Sequence, residues 1–239
     1  MSKAVQQVEY VECESYVVEV KRTQRSKTAS LKVEEGQVII VVPKDLSTER
    51  IEQVIADKHP WIMDKILAFQ LSTPASDKQY VSGESFPYLG RNYRLKLVTG
   101  SYESLKLIHG RLQLTLQASP ARTYFTRVAL VDWYKRNAKR KFDEKVKRYA
   151  ATVGVKPKSV SVKSFKSRWG SCSAEGDVEF NWVVVMAPNR VVDYIVIHEL
   201  CHLLHHDHSS RFWKEVERVM PDYKACKDWL KVNGHTLVV

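Results

Sequence analysis

The segment VVDYIVIHELCHLL (191–204) places two histidines and a glutamate inside an apolar helical pattern. Its apolar residues recur at the spacing of one helix face, which predicts a helix that faces the core. They are Val191, Tyr194, Ile195, Ile197, Leu200 and Leu204. An imidazole or carboxylate without a partner is costly to bury. The chain must therefore fold so that these polar groups gain a partner, and a metal ion is a partner that suits them.

His198 and His202 are four residues apart, so a helix brings both side chains to one face, about one turn apart. One ion can then bind both imidazoles, with Glu199 beside them, which is the HExxH pattern of zinc hydrolases. Three protein ligands leave a fourth position for a water, whose pKa the metal lowers toward about 7. The pattern predicts that Glu199 takes a proton as this water attacks and passes it to the leaving group.

Three further histidines compete for the third ligand position: His205, His206 and His208. If the helix continues, His205 lies about 10.5 Å along its axis from His198, which suits a tetrahedral site poorly. Asp207 favours a turn, so His208 lies in a bend from which it can reach back. We predict His208 as the third ligand, with His206 or a more distant residue as the open alternatives.

The composition limits the cellular setting. The chain of 239 residues, 44% of them hydrophobic, can bury a substantial core. No stretch approaches the roughly 20 apolar residues of a membrane span, and the N-terminus lacks the apolar run of a secretory signal. The four cysteines form no CxxC pair, which is typical of thiols in a reducing cytosol. We predict a cytoplasmic protein without membrane contact.

The order of the patterns predicts an α+β fold with a β-rich N-terminal half and a helical, metal-binding back half. Residues 1–118 form a β-rich region with one helix, which begins after Ser47 and reaches about Leu71 with a break at Pro60. His109-Gly110 predicts a hairpin turn.

Residues 119–239 form the second region, and we predict that both regions are one continuous unit. Its expected elements are a long helix from about Pro120 to Val153, strands over 158–165 and 177–185, and helices over 189–205, 210–220 and 222–233.

The net charge of +11 is concentrated in the long helix. Residues 122–148 contain ten Lys or Arg against three acids, a local charge of 10 − 3 = +7. Such a helix can contact a polyanion, either nucleic acid or a nucleotide. A solvated helix face explains it better, because no nucleic-acid motif accompanies the charge.

Four ordered motifs carry a resemblance to a known family. They are SRWGSC (167–172), NW (181–182), DYIVIHELCHLLHHDHSSRFW (193–213) and PDYKACKDWL (221–230). Together with the front half they resemble the YgjP-like family of predicted zinc metallopeptidase domains over roughly 15–235. SprT-type and Wss-type zinc proteases are more distant relatives by motif.

The resemblance implies a zincin-like region that binds one zinc ion, or another divalent metal, through His198, His202 and His208, with Glu199 as base. It implies a metallopeptidase with a peptide or protein substrate. Some members of the family are described as pyrophosphatases acting on UTP, so a metal-dependent nucleoside triphosphate pyrophosphatase is the alternative. A nucleic-acid-associated module with a structural zinc is a third hypothesis.

Two further residues are candidates for substrate binding. Arg168 can bind a substrate carboxylate or phosphate, or can brace the fold through an internal ion pair. The strand predicted over 177–185 can bind an extended peptide by edge pairing, as strands of zincin-like folds do. Asn181 on that strand then faces the cleft, or else it is a structural amide whose hydrogen bonds are satisfied within the protein.

Overall fold

The computed structural model describes residues 9–24, 28–34, 36–72, 78–165 and 167–239. The chain divides into two compact units, which interleave along the sequence. The first comprises Met1–Ser82, Lys96–Lys106 and Gln113–Leu130, and the second comprises Gly83–Leu95, Leu107–Leu112 and Val131–Val239. The division at residue 118 that the sequence suggests stays a prediction.

Strands dominate the front half and helices the back half, so the predicted α+β order is confirmed. The strands are β1 (Glu9–Glu12), β2 (Val17–Thr23), β3 (Ser30–Glu34), β4 (Gln37–Pro43), β5 (Ser85–Tyr88), β6 (Arg91–Thr99), β7 (Glu103–Ile108), β8 (Arg111–Leu116), β9 (Ser159–Lys163), β10 (Gly170–Cys172) and β11 (Asp177–Asn181). The helices are α1 (Thr48–Asp57), α2 (His59–Ser72), α3 (Arg122–Val153), α4 (Asn189–Cys201), α5 (Ser210–Val219) and α6 (Tyr223–Asn233). Among the residues described, no helix has both the length and the apolar character needed to cross a membrane.

The first unit contains a mixed four-stranded sheet in the order β1-β2-β4-β3. Alternation along β4 buries Val38, Ile40 and Val42 on one face, as expected for a half-buried strand. Isoleucines of α1 and α2 join the same apolar cluster. The Ser47 side chain accepts a hydrogen bond from the Arg50 N–H at 3.4 Å, which confirms the predicted helix start.

A second sheet has the order β5-β6-β8-β7. The turn between β7 and β8 is His109-Gly110, with φ of 47° and 73°. Both residues are left-handed, as a two-residue hairpin turn requires, so the hairpin prediction is confirmed.

The second unit contains a three-stranded sheet in the order β10-β11-β9. The predicted strand over 177–185 was too long, because the chain leaves β11 at Asn181 and forms a 3-10 helix over Trp182–Met186. The Asn181 side chain accepts a hydrogen bond from the Val183 N–H at 3.4 Å and so caps this helix. Apolar β-branched residues favour a strand, but the Asn181 cap favours the helical turn here.

Helix α4 is the central helix of the second unit and contacts β10, α5 and α6. A buried ion pair joins it to α3: the Lys145 ammonium lies 2.6 Å from the Asp193 carboxylate and 2.9 Å from the Asn189 amide oxygen. The predicted helix over 189–205 is wrong at its C-terminal end, because α4 ends at Cys201. The N–H groups of Leu203 and Leu204 bond carbonyls three residues back, which tightens the last turn.

Candidate metal centre

The end of α4 brings two imidazoles together. His198 lies in the last turn of the helix and His202 is its C-terminal cap residue. Their Nε2 atoms are 3.2 Å apart, with the two rings nearly perpendicular. The spacing of four residues therefore places both nitrogens on one side of the chain, although the helix ends between them.

His208 comes back to this pair from the loop that precedes α5. Its Nε2 atom lies 3.1 Å from that of His198, and the three ligand atoms all lie within 4.8 Å of one another. We call His198, His202 and His208 the histidine cluster. The Asp207 carboxylate accepts a hydrogen bond from the Ser209 N–H at 3.2 Å, which is the side-chain turn typical of Asp. This turn directs His208 toward the end of α4.

His205 and His206 take different places from His208. The His205 carbonyl accepts a hydrogen bond from His202 Nδ1 at 3.0 Å, which leaves the lone pair of Nε2 directed at the cluster. His206 lines the adjacent cavity but contributes no atom to the cluster. The sequence argument against His205 assumed a continuous helix. The chain instead turns at Cys201, and His205 acts through its backbone.

Helix α5 supplies aromatic walls for the imidazoles. The His202 ring stacks on Phe212 with centroids 4.5 Å apart, and the His208 ring stacks on Trp213 at 5.7 Å. Phe212 is fully buried. These contacts hold two rings in one orientation, and the apolar period of the SSRFW segment was the signal for them in the sequence.

Metal ligation needs neutral imidazoles, and the surroundings of His198 and His202 favour that form. Burial, together with the neighbouring His202 and His208, lowers the pKa of His198 to about 3. Burial also lowers the pKa of His202, although its hydrogen bond to the His205 carbonyl opposes the shift. The buried Nδ1 of His198 forms no hydrogen bond within the described chain.

The donor set fits a zinc-sized ion. Tetrahedral Zn²⁺ with Zn–N bonds of about 2.0–2.1 Å separates two ligand nitrogens by about 3.3 Å. The two distances from His198 Nε2, 3.2 Å and 3.1 Å, are close to that value. Three imidazole nitrogens in this arrangement can hold one divalent metal.

Glu199 follows the first histidine and is 5% exposed. Burial raises its pKa to about 8, and the charge of Arg168 opposes this shift. A Cβ atom at Gly170 would lie 2.6 Å from its Oε1 atom and 2.8 Å from its Cδ atom. Gly170 of β10 therefore leaves the space that the Glu199 side chain occupies, a role that the sequence did not predict.

The SRWGSC segment is held in place by Asn181. The Asn181 amide donates to the carbonyls of Phe165 at 3.0 Å and Arg168 at 3.1 Å, and its backbone N–H donates to Trp169 at 2.8 Å. The residue is buried and is not part of the cavity wall. Asn181 thus matches the alternative of a structural amide with its hydrogen bonds satisfied within the protein, and we do not propose it for substrate binding.

A cavity of about 540 Å³ lies in front of the histidine cluster. Its walls come from residues 168–172, from α4 and from α6, and Glu199 and Arg168 both line it. Strand β11 cannot pair with a peptide by its edge, because β10 and β9 occupy its two sides. That expectation is therefore corrected: among the described residues β10 is an edge strand, and it lines the cavity.

The basic helix α3 carries paired charges. Arg136 pairs with Asp132 at 2.6 Å, Lys139 pairs with Asp143, and Lys141 lies 2.7 Å from Glu144. Lys145 is buried in its ion pair with α4 and presents no charge to a partner. These contacts favour a solvated face over a polyanion site.

The comparisons with known proteins agree with the site. Residues 27–233 match the YgjP-like, metallopeptidase domain family. No curated protein matches the chain significantly. The crystal structure of the metallopeptidase zymogen of Pyrococcus abyssi abylysin is 27% identical and covers 38% of this chain and 95% of that chain, with a TM-score of 0.36. That TM-score is too low to carry an argument, whereas the family match covers most of the chain. The protein therefore belongs to the YgjP-like metallopeptidase family and is a metal-dependent hydrolase.

Proposed function

We propose that the protein is a zinc-dependent peptidase in which His198, His202 and His208 hold one zinc ion and Glu199 is the general base. The observation that carries the proposal is the convergence of three imidazole nitrogens beside a buried carboxylate at the wall of a cavity. A zinc ion held there would supply Lewis acidity toward a peptide carbonyl and would acidify a water.

Glu199 moves the proton in this mechanism. Its carboxylate accepts a proton from the attacking water and passes it to the amine that leaves. Its side chain forms no hydrogen bond with the described residues, so both oxygens are available for this exchange. Gly170 fixes its position, because the glycine leaves room for the carboxylate against β10.

Strand β10 can orient an extended peptide. It has one partner strand, β11, among the described residues, and its residues line the cavity. A peptide that adds to such an edge uses its backbone groups, which gives binding without sequence preference. The scissile bond then lies along the wall that Glu199 shares with Gly170.

Metal analysis of purified alanine variants tests the ligand assignment. We expect His198→Ala, His202→Ala and His208→Ala each to lose most of the zinc, because one ligand of three is removed. His206→Ala should keep it. His205→Ala should keep it too, because only the backbone of that residue contacts His202. Full zinc in His208→Ala together with loss in His206→Ala would transfer the third position to His206.

Activity is tested with a peptide library and with UTP on the same zinc-loaded preparation. The proposal predicts peptide hydrolysis that a chelator abolishes and added zinc restores. Pyrophosphate release from UTP without any peptide hydrolysis would replace the peptidase with the nucleotide alternative. Neither that alternative nor the nucleic-acid module is favoured by a specific contact, so both stay predictions from the sequence.

A further inference from the structure

Three exposed cationic side chains line the cavity beside the histidine cluster. Arg168 lies just before β10, and Lys227 and Lys231 lie on α6. Among the described residues, none of the three forms an ion pair with a carboxylate. Glu199 is the one acid among the residues that line this cavity. We call these three side chains the cationic rim.

The cationic rim is unfavourable for the fold by itself. Lys227 and Lys231 are four residues apart on α6, where like charges repel and weaken a helix. On α3, by contrast, Arg136 and Lys139 each pair with an acid four residues away, which neither lysine of α6 does among the described residues. A cluster of unpaired cations around a cavity is therefore better explained by what enters the cavity.

Lys227 is also held close to the histidine cluster. Its ammonium lies 4.4 Å from the centroid of the Trp213 ring, within the range of a cation–π interaction. The imidazole of His208 stacks on the same ring. The ammonium of Lys227 thus lies near the position where a substrate would meet the histidine cluster.

We propose that the cationic rim selects carboxylate-bearing peptides, so that the cavity takes substrates with an acidic group beside the scissile bond. This inference rests on the proposed peptidase function and specifies its substrate class. An Asp or Glu side chain and a free C-terminal carboxylate offer the same chemistry to the rim. Arg168 can bind either one through two parallel hydrogen bonds, and the lysines add point charges.

A matched peptide series tests the preference. One neutral host peptide is made with Asp or Glu on either side of the scissile bond and with the isosteric Asn or Gln at the same positions. Each is made with a free and with an amidated C-terminus, which separates side-chain carboxylates from the terminal one. Because an exposed charge contact gives roughly threefold in affinity and the rim has three cations, we expect kcat/KM about 30-fold higher for the acid than for its amide.

Variants of the rim test its origin. Lys227→Gln, Lys231→Gln and Arg168→Gln should each reduce the ratio of acid to amide kcat/KM about threefold. The matched control is Lys224→Gln, which removes the same charge from the same helix but does not line the cavity. An equal effect in Lys224→Gln would replace the rim with long-range net charge and overturn the proposal.

Binding to the inactive Glu199→Gln protein separates the two proposals. Titration of this zinc-loaded variant with the acid and amide peptides should show the same preference in Kd. If the preference is present but the wild type cleaves none of the peptides, the peptidase function fails and the carboxylate site stands. If the wild type cleaves acid and amide peptides equally, or if UTP alone depends on the rim, the carboxylate selection is wrong and the peptidase is judged separately.

Discussion

The two ends of helix α4 each bury an acid, but they treat it differently. Near the start of the helix, Asp193 is bonded by the Lys145 ammonium at 2.6 Å. Near its end, Glu199 is equally buried and its carboxylate forms no hydrogen bond with the described residues. The first arrangement compensates the cost of burial within the protein, and the second leaves the carboxylate facing a cavity. A buried acid that the fold does not satisfy is a better sign of chemistry than burial alone.

The largest effect should come from removing the unsatisfied acid. Glu199→Gln keeps the shape and removes the base, so we expect activity to fall about 10²- to 10⁴-fold. Zinc content should match the wild type, and the free energy of unfolding should not fall, because a neutral amide is cheaper to bury than an unpaired carboxylate. Steady-state kinetics, metal analysis and urea denaturation measure the three quantities. The exposed Glu217→Gln on α5 is the matched control, and comparable activity in both variants would refute the role of Glu199.

The satisfied acid should behave in the opposite way. Asp193→Ala leaves the Lys145 ammonium buried without its carboxylate, so we expect the free energy of unfolding to fall by about 3–5 kcal/mol. Replacing both partners by apolar residues, as in Lys145→Met with Asp193→Leu, should restore most of this loss. Urea denaturation of the three variants measures it. A double variant as unstable as the single one would mean that the pair itself stabilises the fold.

An intermediate effect should come from the neighbour of Glu199. A Cβ at Gly170 overlaps the Glu199 side chain, and overpacking of this kind costs about 1–3 kcal/mol. If the carboxylate moves to relieve it, Gly170→Ala should lower kcat about tenfold or more with zinc retained. In the Glu199→Gln background the same change should have little further effect on kcat. Independent, multiplying losses would show that Gly170 acts on something other than Glu199.

The smallest effect should come from the ion pair of Lys139 and Asp143 on α3, which is exposed. Lys139→Ala removes one partner of the ion pair with Asp143, which is worth about 0.2–1 kcal/mol. Peptide hydrolysis should not change. Urea denaturation and peptide kinetics measure the two quantities. A loss of activity as large as that of a rim variant would show that α3 contributes to substrate binding.

The sequence predicted the parts of the molecule that local patterns control. The cap at Ser47 and the His109-Gly110 turn depend on neighbours in the chain, and both are confirmed. The ends of β11 and α4 were wrong, because Asn181 is held by the distant carbonyls of Phe165 and Arg168, and α4 ends where His208 returns to His198. Gly170 was missed for the same reason, since its partner Glu199 lies far along the sequence.

The three clustered imidazoles of the metal centre come from residues 198–208, one short continuous stretch that ends just before α5. The cavity wall that faces them comes from residues 168–172 and from α6, which are distant in sequence. Closing a loop of about ten residues is fast and costs little entropy compared with assembling distant segments. With the proposed ligand set, a partly unfolded chain would therefore retain a bound ion after its cavity has come apart. Metal content then reports only whether the end of α4 is intact. Catalytic turnover reports whether the whole site, including the cavity wall, is intact.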